Sequence, residues 1–599
     1  MRQPRIRANI ALGLQVLLLL PVSNLAEAAV PLSMVELRQI VADAVENGKQ
    51  RVIIPPGIYR GTPASGEKVH WTLKRTHDLE IVAVGVTMIC MKRTRAIDFV
   101  GCRNVTLQGL TIDYEPLTFT QGRVVATAPD DVWIDIKLDP GYPCQPWSRI
   151  DVVDPATYFR KKGMPFLWGT TAEMVESNVV RVKLKGIGKA ARVGDLASLS
   201  AGNEEGGVCH GVTLSDCRGE MVLRDLTIHC APGMGIVESG GAGGTVLEGI
   251  RIVPGPPPAG ASTRRLLTTS WDGILHTNVG RGPRVEHCTI ENCGDDSWSV
   301  QNQDILVVRR AGSELILAPR GETQLAPNDF LCRSLDAPQY ELTDVCAVER
   351  AKLALDPDVA KQLQEAKPWT LWKVSGRFYR GTVTGEPDLQ SGDSVFCPQR
   401  QGNGFIFRNN RIHSPGRILI KAGEGLVEGN TLIMPHGLVI CPEVPDGAAA
   451  GIRNLVIRGN TVTESGYFCE SWDSDQAGAI SIVASAVENE KKTFRPPGAF
   501  ADVTIEANRF EGVRGLNLLL SSVRGARVRN NCFIRTHQSE PGITAGAYGI
   551  EQRAIVAVRH CTDVSFEDNV FEDIGRFAKE SFQIDAESAD VRGVETRGL

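Results

Sequence analysis

The sequence is poor in aromatic residues and carries little net charge. The first shortage indicates a turn-rich fold, and the second gives no support for a highly charged partner. Aromatic residues make up 6% of the 599 residues, whereas 61 residues are glycine, a balance that suits many tight turns. The formal net charge is -5, which gives no electrostatic argument for a nucleic-acid partner or for an anionic membrane surface. We therefore expect neither as a partner of the mature chain.

Spacings that would hold a metal ion or a phosphate group are also missing. The ten histidines show no metal-ligand spacing, and no GxSxG motif occurs. The glycine-rich segment 240–244 opens no helical pattern, so it is interpreted as a turn and not as a phosphate loop. These patterns predict no metal and no cofactor.

The cysteines form no CxxC pair, and their number, 15, is odd. At least one thiol therefore lacks an intramolecular partner. Most are predicted to be core thiols, with room for one or two disulfides.

Long apolar runs are absent beyond the N-terminus, where the pattern is typical of an export signal. Three arginines stand within the first seven residues, an apolar stretch covers residues 10–21, and Ala26-Glu27-Ala28 is a small-x-small cleavage site. We predict that residues 1–28 are a signal peptide and that the mature protein is periplasmic or secreted. An uncleaved anchor helix is the alternative, but the apolar run is short for a membrane span.

A short frame recurs along most of the chain: an apolar residue, two variable residues, an inward residue, one variable residue and a second apolar residue. The inward residues are Leu110, Leu226, Ile250, Cys288, Asn410, Asn430, Asn460, Asn508, Asn531 and Asn569. Successive ones are separated by 24 residues (226 to 250), 20 (410 to 430) and 23 (508 to 531). This period, with short β-type runs, is typical of a solenoid. Leucine-rich repeats share the period, but their leucine spacing is missing.

The sequence therefore predicts an all-β fold, a right-handed parallel β-helix in which each coil stacks on the next. A column of inward asparagines should hydrogen-bond along the stack and satisfy main-chain groups of the turns. Residues 34–45 are predicted to be a helix that covers the open end of the solenoid. Ser33 and Glu36 have the spacing of a capping box for it.

Two intervals break the period: 116 residues from Leu110 to Leu226, and 122 from Cys288 to Asn410. Each predicts an inserted small β-barrel or β-sandwich. The predicted parts are a signal peptide (1–28), an N-terminal cap with the first coils (29–120), a first inserted β domain (121–205), coils that carry the acidic residues (206–304), a second inserted β domain (305–400) and C-terminal coils (401–599).

Three aspartates fall one coil apart. Asp272 lies in a Trp-Asp-Gly segment, and Asp295 and Asp296 follow 23 residues later in Gly-Asp-Asp. Stacked strands are about 4.8 Å apart, so the three carboxylates should share one patch. Such crowding raises at least one pKa and places a proton donor beside ionised bases. Ordinary turns, or calcium binding, are the alternative interpretations.

Four further residues are candidates for contacts with a ligand at this patch. Arg417 lies seven residues after the frame centre Asn410, as Asp295 does after Cys288, so Arg417 should stack near the acids. There it would bind a ligand or hold a carboxylate. The other candidates are Trp271, Trp298 and His276.

An Asp-Gly one coil before an Asp-Asp pair, on a pectin-lyase-like parallel β-helix with two small inserted β domains, resembles the inverting α-1,3-galactosidases. These enzymes act on blood-group-B-type and linear α-1,3-galactosides. The segment 105–122 adds to the likeness, which covers roughly residues 35–580 in architecture. Polygalacturonases are similar in their acids. However, this chain lacks their Gly-His-Gly, and its Arg417-Ile-Leu-Ile-Lys421 is looser than their Arg-Ile-Lys, which disfavours a pectin substrate.

The resemblance implies a carbohydrate substrate, an exo-α-galactosidase activity and a catalytic set of Asp272, Asp295 and Asp296. By analogy with polygalacturonases, Asp295 is the expected acid and the other two aspartates are expected to hold the attacking water. A polysaccharide lyase or uronate epimerase that uses Lys421 is the first alternative. A non-catalytic glycan-binding β-helix is the second.

Overall fold

The structure is a computed structural model that describes residues 32–594 except for several short stretches. The stretches left out are 165–166, 168–169, 202–208, 320–323, 335–336, 350–351, 366–376, 442–450, 468–475, 489–490 and 543–548. The predicted signal peptide, residues 1–28, lies outside the described residues, as does Cys469.

Three long parallel sheets carry most of the chain, and each coil passes through them in the order I, II, III. Sheet I has 13 strands: Arg51–Ile53, His77–Val82, Arg103–Gln108, Val222–Arg224, Val246–Glu248, Arg284–Glu286, Ile406–Arg408, Leu426–Glu428, Ile452–Arg458, Phe500–Glu506, Val523–Arg529, Thr562–Glu567 and Ala589–Arg592. Sheet II has 13 strands: Leu32–Ser33, Gly57–Gly61, Val86–Cys90, Thr111–Tyr114, Thr227–Ile228, Arg251–Ile252, Thr289–Glu291, Arg411–His413, Thr431–Ile433, Thr461–Thr463, Arg509–Glu511, Cys532–Ile534 and Val570–Glu572. Sheet III has 12 strands: Val69–Lys74, Arg95–Val100, Val212–Ser215, Ile236–Ser239, Ile274–Thr277, Trp298–Gln301, Ile418–Ile420, Leu438–Ile440, Ile480–Val483, Leu518–Ser521, Ala554–Arg559 and Glu580–Ile584.

The repeated frame sets the register between coils. Leu223 lies beside Leu247 in sheet I, and Ile228 lies beside Ile252 in sheet II. All four side chains are buried in one continuous core, because a coil hides its apolar face only by stacking on the next. The predicted all-β, right-handed parallel β-helix is confirmed.

The predicted asparagine column is present inside the solenoid, at the turn from sheet I to sheet II. The Asn410 side-chain amide donates to Asn430 Oδ1 at 3.0 Å, and the Asn410 main-chain N–H donates to the same oxygen at 2.9 Å. This pair of bonds repeats at every step, through Asn430, Asn460, Asn508, Asn531 and Asn569. The column therefore satisfies buried main-chain groups that would otherwise be costly.

Asn460→Ala is expected to lower the free energy of unfolding by about 3 kcal/mol. The substitution removes the acceptor of two Asn430 N–H groups and the donor to the Val427 carbonyl, and all of these groups stay buried. Asn569→Ala, at the half-buried end of the column, should cost less than half as much because water reaches the groups that it frees. Equilibrium denaturation of both variants measures the difference; equal losses would contradict a cooperative column.

A helix follows the first short strand of the described chain, as predicted. It covers Met34–Glu46, and its first turn carries the capping box: the Glu36 N–H donates to Ser33 Oγ at 3.2 Å, and the Ser33 N–H donates to the Glu36 carboxylate at 2.6 Å. Met34, Leu37 and other apolar residues of one face are buried against the first coils. The helix thus covers the N-terminal end of the solenoid core.

Two six-stranded antiparallel sheets interrupt the coils, one in each interval that breaks the period. The first, called the inserted sheet below, has the strand order Arg149–Val153, Leu196–Ser200, Phe119–Thr127, Trp133–Leu138, Val179–Lys183 and Thr171–Glu176. The second has the order Phe330–Leu331, Tyr340–Glu349, Arg377–Val383, Glu314–Pro319, Ile305–Ala311 and Ser394–Val395. Each sheet has its own apolar core.

The remaining elements are short. They are the helices Ile187–Ala190 and Pro357–Glu365, the 3-10 helix Pro398–Arg400, and a hairpin of Ser485–Glu488 and Lys491–Phe494. No described helix combines the length and apolarity needed to cross a bilayer.

The 14 cysteines in the described part of the chain are all free thiols, so the one or two disulfides left open above do not form among them. Most are buried, and Cys288 points into the core as its frame position predicts.

Candidate active site

Asp272, Asp295 and Asp296 meet where two neighbouring coils turn from sheet II into sheet III. Ile274 pairs with Trp298, so Asp272 is level with Asp296. The interval is therefore 24 residues, one more than the 23 that separate Asp272 from Asp295. The structure brings together the three carboxylates that the sequence singled out.

Glycines beside the aspartates allow the coils to approach closely. A Cβ on Gly273 would lie 2.5 Å from the carbonyl oxygen of Ser297 in the next coil. On Gly294, a Cβ would collide with the main-chain carbonyl group of Ser270 in the preceding coil. Both contacts are too close for real atoms, so the residue after Asp272 and the residue before Asp295 have to lack a side chain.

Arg417 binds one of the three acids directly. Its Nε and Nη2 donate to the two carboxylate oxygens of Asp296 at 2.7 and 2.8 Å, and its Nη1 donates to Gln476 at 3.0 Å. Both partners are nearly inaccessible, at 5% and 4% exposure. This bidentate pair stabilises the ionised form of Asp296 and fixes its orientation. Gln476 was not singled out from the sequence.

The exact level of Arg417 differs from the predicted one. Trp298 pairs with Ile418, so Arg417 is level with Ser297 and not with Asp295. The turn between sheets II and III holds residues 292–297 in one coil but only 414–417 in the next. The level of Arg417 that was predicted by counting from Asn410 is therefore wrong by two residues. The long Arg417 side chain still reaches Asp296.

The other two acids have strongly perturbed pKa values. Burial, followed by the charges of Asp295 and Asp296, raises the pKa of Asp272 well above its usual value, against the opposing effect of Arg417. Burial and the charge of Asp296 raise the pKa of Asp295 to about 7. Asp295 is half-buried, whereas Asp272 is 6% exposed. Asp295 is thus a partly accessible acid that gains or loses its proton close to neutral pH.

Two of the candidate contact residues are wrong. Trp298 is fully buried in the solenoid core, where its ring stacks on Phe407 at 4.4 Å between centroids, so it cannot stack on a sugar. His276 is also fully buried, and its Nδ1 lies 2.7 Å from a carboxylate oxygen of Glu238. Strand geometry explains both cases: Trp298 is level with the inward Ile274, and His276 follows Ile274 by two residues on the same face. Trp271, in the turn, is half-buried beside the acids.

The first insertion adds two cations that the sequence did not single out: Arg149 on the inserted sheet and Arg160 on the loop after its edge strand. The edge strand of the inserted sheet, Arg149–Val153, runs past residues 292–297, which carry Asp295 and Asp296 and are called the acidic turn below. The Arg149 guanidinium donates to the Gly294 carbonyl oxygen, and its Nη1 donates to Asp151 at 2.7 Å. Arg160 Nη2 donates to the same carboxylate and lies 3.4 Å from the same Gly294 oxygen. Both arginines are buried and oppose the rise in the pKa of Asp295.

A buried histidine, His436, lies at the same level as Asp296 but two coils further along the solenoid. Ile418 pairs with Leu438, so His436 is level with Gly416, which is itself level with Asp296. Burial lowers the pKa of His436 well below its usual value, and the nearby charges of Arg417 and Arg160 add to the shift. The imidazole is therefore neutral. In the sequence, His436 is followed by a glycine, and nothing in this dipeptide indicated that the histidine would lie near the acids.

A metal ion has a different candidate site in the described part of the chain. The one group of potential ligands whose atoms converge within 4.8 Å there is His560, Asp585 and Glu587, near the C-terminal end of the solenoid. Asp272, Asp295 and Asp296 do not form such a group, so at least one pair of their carboxylates is farther apart.

No protein-family model matches this sequence, and no curated protein matches it. Solved structures with a similar architecture include the Yersinia enterocolitica family 28 exopolygalacturonase, which is 12% identical with a TM-score of 0.43, over 95% of this chain and 80% of that chain. The mannuronan C-5 epimerase AlgE4 A-module of Azotobacter vinelandii is 10% identical with a TM-score of 0.36, over 94% and 96%. The GH87 α-1,3-glucanase of Streptomyces thermodiastaticus is 12% identical with a TM-score of 0.34, over 95% and 70%. At this level of likeness, the function has to be argued from the site itself.

Proposed function

We propose that this protein is an inverting glycoside hydrolase that removes terminal α-linked galactose from glycans. The observation that carries the proposal is the acidic site. The bidentate pair with Arg417 favours the ionised form of Asp296, and the half-buried Asp295 beside it has a pKa of about 7. An ionised base next to a protonated acid is the pair that glycoside hydrolysis requires. The preference for α-galactosides rests on the resemblance to α-1,3-galactosidases.

The reaction follows from these protonation states. Asp295 gives its proton to the departing glycosidic oxygen as the bond to the anomeric carbon breaks. A water molecule, held by Asp272 and Asp296, attacks that carbon from the opposite face and passes a proton to Asp296. The released sugar therefore has the inverted anomeric configuration. Half-buried Trp271, which precedes Asp272 in the chain, is proposed to contact the sugar ring.

Export belongs to the same proposal. Residues 1–28 have the pattern of a signal peptide, so the enzyme is proposed to meet its carbohydrate substrate in the periplasm or outside the cell. N-terminal sequencing of the protein from its native host tests this directly.

A screen of aryl α- and β-glycosides, followed by α-1,3-linked galactosides, tests the function. We expect turnover of α-galactosides, and we expect proton NMR of the first product to show the β anomer of galactose. Release of the α anomer would exclude the inverting mechanism. Turnover of a different glycoside would exclude only the galactose specificity.

The pH dependence of kcat/KM is a second test. Because Asp295 has to be protonated to act as the acid, activity should fall as the pH rises through about 7, the pKa of this group. The measurement is kcat/KM from pH 5 to 9 at constant ionic strength. Activity that increases across this range would show that Asp295 acts as a base instead.

A lyase or epimerase on the same fold is less well supported. Its base would be Lys421, which is buried at 2% exposure. Ultraviolet absorbance from an unsaturated product, or loss of activity with a chelator, would favour this alternative over hydrolysis.

A further inference from the structure

The acidic turn of the solenoid is clamped from outside by the inserted sheet. The Gly294 carbonyl oxygen, in the peptide group that joins Gly294 to Asp295, accepts hydrogen bonds from Arg149 and Arg160. These arginines are separated from it by 145 and 134 residues along the chain. A contact of this range is set by the way in which the inserted sheet docks on the solenoid.

The two arginines are themselves held in place. Both donate to the carboxylate of Asp151, which lies between them on the inserted sheet, and all three side chains are buried. The planar guanidinium of Arg149 binds Asp151 and the Gly294 carbonyl at the same time. A lysine ammonium group could not replace it, because its donors are not arranged in a fixed plane that reaches two acceptors at once.

The loop that carries Arg160 is docked on the solenoid by independent contacts. The Phe159 ring stacks on His413 of sheet II. Lys162 pairs with Glu464 at 2.7 Å. These contacts flank the arginine on both sides along the chain, so its position is fixed relative to the coils.

An inner strand of the inserted sheet, Phe119–Thr127, is joined to the solenoid as well. The Leu266 N–H donates to Gln121 Oε1, and Gln121 Nε2 donates to the Arg264 carbonyl, both at 2.9 Å. Val153 packs against Leu266 in a small apolar cluster. The inserted sheet is therefore joined to the solenoid beside the acidic turn at several separate points.

We propose that Arg149 and Arg160 are positioning residues of the active site, which fix the Gly294–Asp295 peptide from the inserted sheet and so hold the Asp295 carboxyl in its catalytic orientation. This inference rests on the proposed function. It assigns to the first insertion a part in the chemistry, because the solenoid alone leaves the acidic turn without this clamp.

The charged groups around Asp295 come from three neighbouring coils of the solenoid and from the first insertion. Asp296 belongs to the same coil as Asp295, Asp272 belongs to the preceding coil, and Arg417 belongs to the following coil. The inserted sheet contributes Arg149 and Arg160, together with their shared partner Asp151, and the neutral His436 lies in the coil beyond. Among the described residues, Arg149 and Arg160 are the cations acting on Asp295 whose removal leaves the Arg417–Asp296 pair intact.

The test compares Arg149→Gln and Arg160→Gln with Arg181→Gln. Arg181 is a matched control on the same inserted sheet, since it forms a bidentate pair with Asp135 at 2.7 and 2.8 Å and makes no contact with the acidic turn. Loss of a neighbouring cation raises the pKa of a carboxyl group, so the alkaline limb of kcat/KM should move up by about one pH unit in the first two variants. At pH 6 their kcat should fall about tenfold, whereas the control should match the wild type.

Arg149→Lys separates charge from geometry. It keeps the cation but not the fork, so the pH limb should stay near the wild-type position while kcat falls. Thermal unfolding of every variant identifies any that fail to fold. An unshifted limb in the folded Arg149→Gln and Arg160→Gln variants, or an equal shift in Arg181→Gln, overturns the proposal.

A direct titration keeps this test distinct from the test of function. The Asp295 carboxyl is followed by carbon-13 NMR in protein labelled at aspartate, and it is assigned by its loss in Asp295→Asn. If the wild type hydrolyses no glycoside but the titration still moves upward in both variants, the proposed function fails and the clamp remains. If the wild type is active and the titration does not move, only the clamp fails.

Discussion

Asp295→Asn is expected to lower kcat for hydrolysis of a galactosyl disaccharide at least about a hundredfold, the usual scale for loss of a general acid. The amide has nearly the same shape as the acid but carries no proton that it can give to the leaving oxygen. The loss should be smaller for an aryl galactoside with an acidic phenol, because that leaving group departs without protonation.

The fold should survive this change and gain a little stability. Asp295 raises the pKa of Asp272, so a neutral side chain at position 295 relieves repulsion between buried carboxyl groups. The melting temperature is therefore expected to be unchanged or higher than that of the wild type, which excludes unfolding as the cause of lost activity.

Asp225→Asn is the matched control. Asp225 is an exposed aspartate in another turn of the solenoid, with a φ of +52° that asparagine also adopts. It should keep full activity. More than about a tenth of wild-type activity on the disaccharide in Asp295→Asn would remove Asp295 from the role of acid.

The repeat and the proximity of the three aspartates could be predicted from the sequence, because both depend on contacts between neighbouring coils. Asn410 contacts the next member of its column one coil away, so a local pattern repeated at a fixed period contains the contact. In the same way, Asp272 and Asp296 are brought level by the pairing of the two strands that follow them.

The features that could not be predicted depend on which face of a strand a residue occupies, or on how the inserted sheet packs against the solenoid. Whether a residue just after a turn points inward, as Trp298 does, is decided where the strand begins, and no flanking residue marks that point. Arg149 and Asp151 alternate with apolar residues on a strand, which is also the pattern of a solvent-exposed face. Only the docked position of the inserted sheet turns these charges toward Gly294.

Arg417→Met is expected to impair both stability and activity. The buried Asp296 loses its cation, and breaking a buried ion pair by removal of one partner costs about 3–5 kcal/mol of unfolding free energy. An unpaired buried carboxylate also takes up a proton, so the base that activates water is lost. We expect kcat to fall at least about a hundredfold, the scale for loss of a general base, as measured on the folded fraction.

The double variant Arg417→Met/Asp296→Asn tests whether the stability loss in Arg417→Met comes from the unpaired, buried charge of Asp296. Because both partners are then neutral, most of the lost unfolding free energy should return, while activity should stay as low as in the single variant. Chemical denaturation and kcat measured on the same preparations give the two answers separately. If the double variant were no more stable than Arg417→Met alone, Arg417 would be acting through packing and not through the charge of Asp296, and the ionised base on which the proposed hydrolysis depends would lose its structural support.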